Sequence, residues 1–233
     1  MALLADYPKI KPILSLAGRT KKPVLPQINY RIGGFGGVAG LVSYIKSQNI
    51  NAIVCATHPF ASKMPFNAHE AAKLADIPII FLLRPAWKPQ IGDNWMEVAN
   101  HKEAIQQLTT NNQQPETIFL TVGRLDLHEY TSDQQHFYLV RSIDELTEKP
   151  LKNAVYTAVR PPFLVEDEIA LMKKYNINLL ISKNSGGKAT EAKLTAAREL
   201  KTPVIMIKRP PRPEGLHMET TKEVLDWLNK LSD

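Results

Sequence analysis

The feature that most constrains this chain is an alternation: short apolar, β-rich runs bounded by turn residues are followed by segments with the 3.6-residue period of an amphipathic helix. Strands are predicted at Ile13 to Leu16, Ile50 to Ala56, Ile77 to Leu82, Thr117 to Val122, Ala154 to Val159, Ile177 to Ser182 and Pro203 to Ile207. Helices are predicted at Val38 to Ser47, Asn67 to Ala75, Lys102 to Leu108, Val165 to Tyr175, Ala189 to Leu200 and Thr221 to Leu231. Strands joined through helices are what parallel pairing demands, because a parallel neighbour is reached only by a crossover that returns the chain to the same end of the sheet. The fold class is therefore α/β, with parallel sheets flanked by helices.

A length of 233 residues with 44% hydrophobic content is enough for one large core or two small ones. The polar stretch Thr109 to Glu116 reads as a linker, which predicts an N-terminal α/β lobe over 1–112 and a C-terminal α/β lobe over 113–233, both Rossmann-like, with a cleft between them. Apolar runs such as Ile77 to Leu83 fall short of the ~20 residues of a membrane helix, and no basic segment followed by an apolar leader opens the chain, so a cytoplasmic location is expected. The single cysteine, Cys55, excludes an internal disulfide and a cysteine-cluster zinc site. A formal charge of +6 favours an anionic partner. The basic residues are scattered, without a run of five or an aromatic-interleaved stripe, which disfavours nucleic acid against a phosphorylated cofactor or a polycarboxylate.

In open α/β sheets ligands sit beyond the carboxyl ends of strands, so the turns there carry the candidate chemistry. Gly33-Gly34-Phe35-Gly36-Gly37 leads into the helix at Val38, and its glycines permit close backbone approach to an anion at a helix N-terminus. Its spacing is not the Gly-x-Gly-x-x-Gly fingerprint, and a tight turn without ligand is the plain alternative. Ser182-Lys183-Asn184-Ser185-Gly186-Gly187-Lys188 offers a cradle for phosphate or carboxylate, or else a helix start capped by Ser185. It is not a Walker A loop, which needs glycine where Ser182 stands and Ser or Thr where Ala189 stands. Thr57-His58 after the Ile50 strand is either an anion or proton site or ordinary packing. Cys55 is read as an inert buried thiol, and no zincin helix or Gly-x-Ser-x-Gly elbow is present. Lys208 to Pro213 reads as an ordered cleft-lining loop before it reads as a polyproline ligand.

In this order, Ser15-Leu16-Ala17-Gly18-Arg19-Thr20, the Gly33 to Gly37 turn, Ala56-Thr57-His58-Pro59-Phe60-Ala61, Arg84-Pro85-Ala86-Trp87, Thr121-Val122-Gly123-Arg124, Arg160-Pro161-Pro162-Phe163, Lys183-Asn184-Ser185-Gly186-Gly187 and Arg209-Pro210-Pro211 resemble the precorrin-6A reductases of cobalamin (vitamin B12) biosynthesis. The resemblance spans the whole chain. It implies an NADPH-dependent oxidoreductase acting on a CH–CH group, which reduces one double bond of precorrin-6A or cobalt-precorrin-6A to give precorrin-6B. It implies cofactor-binding roles for Arg19 (the 2′-phosphate), Gly33, Gly34, Phe35, Gly36, Gly37, Thr57 and His58, and substrate-binding roles for Lys183, Ser185, Gly186, Gly187 and Arg160. The partner implied is a small polycarboxylate macrocycle, with neither nucleic acid nor membrane; no metal ligand or catalytic side chain is assigned.

The chain departs from the family pattern at Cys55, where an acidic residue is usual, and at its start, which resembles the interior of the family's first helix. The expectation is that the first strand of the N-terminal lobe and its Gly-rich turn lie upstream of Met1, in about 15 further residues. A non-catalytic tetrapyrrole- or nucleotide-binding protein derived from such a reductase is the alternative function.

Overall fold

Every neighbouring strand pair runs parallel in the computed structural model, which describes residues 10–18, 27–111 and 114–232. In chain order the elements are β1 (Ile13–Leu16), β2 (Asn29–Ile32), α1 (Val38–Ser47), β3 (Ile53–Cys55), α2 (Met64–Leu74), β4 (Ile79–Leu82), β5 (Trp95–Val98) and α3 (His101–Asn111). There follow β6 (Thr117–Thr121), a 3-10 segment (Arg124–Tyr130), β7 (Phe137–Ser142), β8 (Ala154–Ala158), α4 (Val165–Lys174) and β9 (Leu179–Lys183). A 3-10 turn (Lys188–Thr190), α5 (Ala192–Glu199), β10 (Val204–Ile207), β11 (Leu216–Met218) and α6 (Thr221–Ser232) complete the order. No helix among the described residues is long and apolar enough to cross a membrane.

Contacts divide the chain into two units, residues 1–84 with 211–233, and residues 85–210. The first holds the pair β1-β2 and a three-stranded sheet ordered β11-β4-β3; the second holds a six-stranded sheet ordered β5-β10-β9-β6-β7-β8. The chain therefore crosses between units at 84/85 and again at 210/211, and not once near residue 112. The cause is pairing: β5 aligns Trp95 with Val204 of β10, and β11 aligns Leu216 with Ile80 of β4, so one strand from each half of the sequence completes the other half's sheet. Of the polar stretch read as a linker, residues 109–111 end α3 and residues 114–116 lead into β6, while 112 and 113 lie outside the described residues.

Each unit has its own core. In the second, Phe119, Leu139, Leu180, Val204 and Met206 from the sheet pack with Trp87 and with Met172, Leu194, Ala196 and Ala197 from α4 and α5. In the first, Leu41 and Ile45 of α1 and Ala68 and Ala71 of α2 pack on Cys55 and Phe81. Burying Cys55 in that cluster fits its reading as a small apolar residue.

Four helices share one ending. Asn49, Asp76, Asn176 and Lys201 adopt left-handed φ of 49°, 54°, 49° and 56°, one residue beyond the C-caps of α1, α2, α4 and α5. The next residue donates back into the helix, as in Ile50 N–H to Ile45 O and Ile177 N–H to Met172 O, both 2.9 Å. This reversal takes up the last carbonyls of the helix and turns the chain toward the following strand. It also explains why the strands begin later than predicted, at Ile53, Ile79 and Leu179: Ile50, Ile77 and Ile177 belong to the reversal.

Candidate functional site

Strands of a parallel sheet point their carboxyl ends the same way, so the connections leaving them gather on one edge. In the first unit the β2–α1 connection is the Gly33 to Gly37 turn. Gly33, Gly36 and Gly37 have φ of 117°, 78° and 92°, which L side chains rarely adopt. A Cβ built on Gly33, Gly34, Gly36 or Gly37 meets no atom within 4 Å, so the missing side chains leave open space above the turn. Gly37 is the N-cap of α1 and provides no side-chain cap, which leaves the first-turn N–H groups available to an anion.

The turn is braced from one side by Arg31. Its guanidinium donates to Ser15 Oγ (3.0 Å), Gly33 O (2.9 Å) and Gly34 O (2.8 Å) and lies 3.9 Å from the centre of the Phe35 ring. Phe35 in turn packs 5.3 Å from Tyr44, so its ring helps hold the turn. Gly40, inside α1, carries a signal that periodicity hid: a Cβ there would stand 1.7 Å from Phe35 O, so the turn folds onto the helix only because residue 40 has no side chain.

At the carboxyl end of β3, Thr57 and His58 are gripped by Arg212, which donates to Thr57 Oγ1 (3.3 Å) and His58 O (2.7 Å). His58 Nδ1 accepts from the Phe60 N–H at 3.2 Å, which puts the proton of the neutral ring on Nε2. Burial pulls the Arg212 guanidinium below its ordinary value, with Cys55 opposing the shift. The loop from Lys208 to Pro213 is thus ordered and functional as a grip, and it contains the second crossing between units. Arg19 lies outside the described residues.

In the second unit the chain leaves β6 toward β7 and β8 on one side and later enters β9 on the other. A sheet that reverses direction this way opens a crevice beyond the carboxyl ends of the two central strands, here β6 and β9. Lys183 closes β9 and reaches Asp126 of the 3-10 segment after β6, Nζ to Oδ2 2.6 Å. His101, first residue of α3, places Nε2 3.7 Å from that same oxygen, and its Nδ1 lies 3.0 Å from the hydroxyl of the buried Tyr130. Burial lowers the pKa of His101, and pushes the Tyr130 phenol far above its ordinary range. Asp126 and His101 belong to no motif and were not predicted.

The rest of the Lys183 to Gly187 turn is clamped to its own unit. Asn184 receives the Trp87 N–H (2.8 Å) and donates to Trp87 O (2.9 Å), while Arg209 donates to Asn184 O (2.8 Å) and Ser185 O (3.2 Å). Gly186, at φ 68°, has no room for a Cβ, which would stand 2.0 Å from Pro85 O. Gly186 therefore serves this clamp. Beyond Gly187 comes a 3-10 turn, and α5 starts only at Ala192 with Glu191 as N-cap, so Ser185 is not a helix cap. Arg160, past the end of β8, pairs with Asp144 at 2.5 Å. It stands three strands from Lys183 in the order β9-β6-β7-β8, about 14 Å along the edge at the usual strand spacing.

Comparison with known proteins places these features in context. Residues 1–229 match a family model described as precorrin-6x reductase CbiJ/CobK. The chain is 41% identical to a precorrin-6A reductase from Rhodococcus erythropolis over 99% of this chain and 92% of the relative. It is 38% identical to one from Rhodobacter capsulatus, over 97% of this chain and 88% of that one. A solved structure of CobK precorrin-6A reductase, 37% identical, superposes with a TM-score of 0.87 over 94% of this chain and 86% of its own.

Proposed function

This chain belongs to the precorrin-6x reductase family CbiJ/CobK, and on that premise we propose that it reduces precorrin-6A to precorrin-6B with NADPH in cobalamin biosynthesis. The observation that carries the reading is the Gly33 to Gly37 turn: open space where four side chains would stand, ahead of an uncapped helix, is a seat for the diphosphate of a dinucleotide. When bound, a reduced nicotinamide supplies the hydride. The residues here bind and orient. The turn and α1 hold phosphate, Thr57 and His58 offer a hydroxyl and an Nε2–H from a loop fixed by Arg212, and Arg19 clamps the 2′-phosphate. On the six-stranded sheet, Lys183 and Arg160 meet peripheral carboxylates of the macrocycle from two points on one edge, a spacing that suits a broad polycarboxylate better than a small one.

The test is anaerobic oxidation of NADPH by the purified protein. Oxidation that occurs only with precorrin-6A present, and yields precorrin-6B, supports the reading. Tight binding of macrocycle or dinucleotide without turnover would favour the non-catalytic alternative.

A further inference from the structure

We propose that Asp126 and His101 are positioning residues that hold the Lys183 ammonium in register for a carboxylate of the macrocycle. The proposal rests on the reading of Lys183 as a substrate-binding cation. A lysine is a flexible point charge on a four-carbon stem, and it orders a ligand only if something orders it first. Here the Lys183 side chain is 13% exposed and its Nζ lies 2.6 Å from Asp126 Oδ2. The pair sits directly over Gly123, where a Cβ would come within 3.1 Å of Nζ and 3.2 Å of the carboxylate oxygen. Gly123 has an ordinary extended backbone, φ −73° and ψ 155°, so its missing side chain serves the space above it.

The Asp126 backbone N–H donates to Gly123 O at 2.9 Å, and its carboxylate has a second neighbour in His101. Tyr130 is wholly buried, and its hydroxyl needs an acceptor, which His101 Nδ1 supplies at 3.0 Å. That leaves the imidazole proton on Nε2, facing Asp126 Oδ2 at 3.7 Å. Three elements thus converge on one oxygen: α3 through His101, the segment after β6 through Asp126, and β9 through Lys183. The groups facing His101 are Asp126 and Glu129, which favour its cation, and Lys183, which opposes it; burial, the largest influence, lowers its pKa. When His101 does take a proton it competes with Lys183 for the single carboxylate oxygen.

The experiment uses the full chain. The His101 imidazole is titrated by NMR in the parent, Asp126→Asn and Lys183→Met, alongside steady-state kinetics with precorrin-6A and NADPH. Loss of the carboxylate should lower the His101 pKa further, and loss of the ammonium should raise it. Asp126→Asn should raise KM for the macrocycle about tenfold, the scale of one charge-assisted hydrogen bond, with a much smaller change in kcat and in KM for NADPH. Asp126→Glu should recover part of that loss. In the parent, KM should rise on acidification at a pH below the ordinary histidine value of about 6.5, and His101→Gln should remove that rise. If Lys183→Met raises KM while Asp126→Asn and His101→Gln leave it and its pH profile at parental values, the positioning role is overturned and the Lys183 reading stands. If Lys183→Met itself leaves KM unchanged, the substrate reading of Lys183 falls, and this inference with it. His101 pKa values unmoved by either charge-removing variant would overturn the coupling whatever the kinetics show.

Discussion

Glycines at turns of similar composition do opposite work in the two units. Gly186 is held between Pro85 O and Arg209, at a φ of 68°, so Gly186→Ala forces backbone apart and should cost about 3 kcal/mol or more, read as a drop in melting temperature. Gly34 has neither neighbours within 4 Å of its Cβ position nor a left-handed φ. Gly34→Ala should therefore change stability by less than about 0.5 kcal/mol. If the turn seats the dinucleotide, the same methyl group stands in the ligand's place, and KM for NADPH should rise well above that of the parent. A Gly34→Ala variant with parental melting temperature and parental KM would remove the turn from the cofactor site. Arg19 is tested by coenzyme choice, since only NADPH offers a 2′-phosphate: Arg19→Ala should raise KM for NADPH much more than KM for NADH, and equal effects would return Arg19 to the fold or the substrate.

Helices and strands were legible where a period ran long enough to be read. Val38–Ser47 has the predicted bounds, and the strands at 13–16, 117–121 and 204–207 lie where apolar runs predict them. Strands β2, β5, β7 and β11 were not legible as strands. Asn29–Ile32 and Trp95–Val98 are short and carry polar or exposed positions, and Leu216–Met218 is three residues long. Phe137–Ser142 carries Arg141, a charge that a central strand seldom tolerates. It is accommodated because Glu168 of α4 pairs with it and the rings of Phe119 and Phe163 lie 4.8 and 3.9 Å from its guanidinium, a partnership between residues far apart in sequence. The glycine turns and Lys183 of the candidate site were legible, because turns announce themselves in composition. Asp126 and His101 were not: the pairing of β6 with β9 brings Asp126 to Lys183, and His101 arrives on α3, which packs against the Asp126 segment. The helix reversals suggest their own test. Asn tolerates a left-handed φ, and Lys does so at a cost, so Lys201→Gly at φ 56° should stabilise the chain by about 0.5–1 kcal/mol; Asn49→Gly should do less. Thermal unfolding of the two variants side by side checks the order.

At the scale of the whole chain, the exchange of strands decides which segments can stand alone. Residues 85–210 contain all six strands of their sheet and the helices that cover it, whereas residues 113–233 lack β5 and leave one edge of β10 without its partner. A fragment spanning 85–210 should unfold cooperatively, and one spanning 113–233 should melt lower or aggregate, because an unpaired inner edge exposes its N–H and C=O groups. Equal stability of the two fragments would return the boundary to the region of residue 112. The same exchange fixes an order of events during synthesis. A ribosome releases the chain from its amino end, and the β4 edge that receives Leu216–Met218 has no partner until those residues emerge. By then everything through β10 has been made. The enclosed unit is thus the first to have all its parts, and the unit that began first is the last to close, so a message truncated between codons 210 and 216 would yield one finished sheet attached to one still waiting for its outer strand.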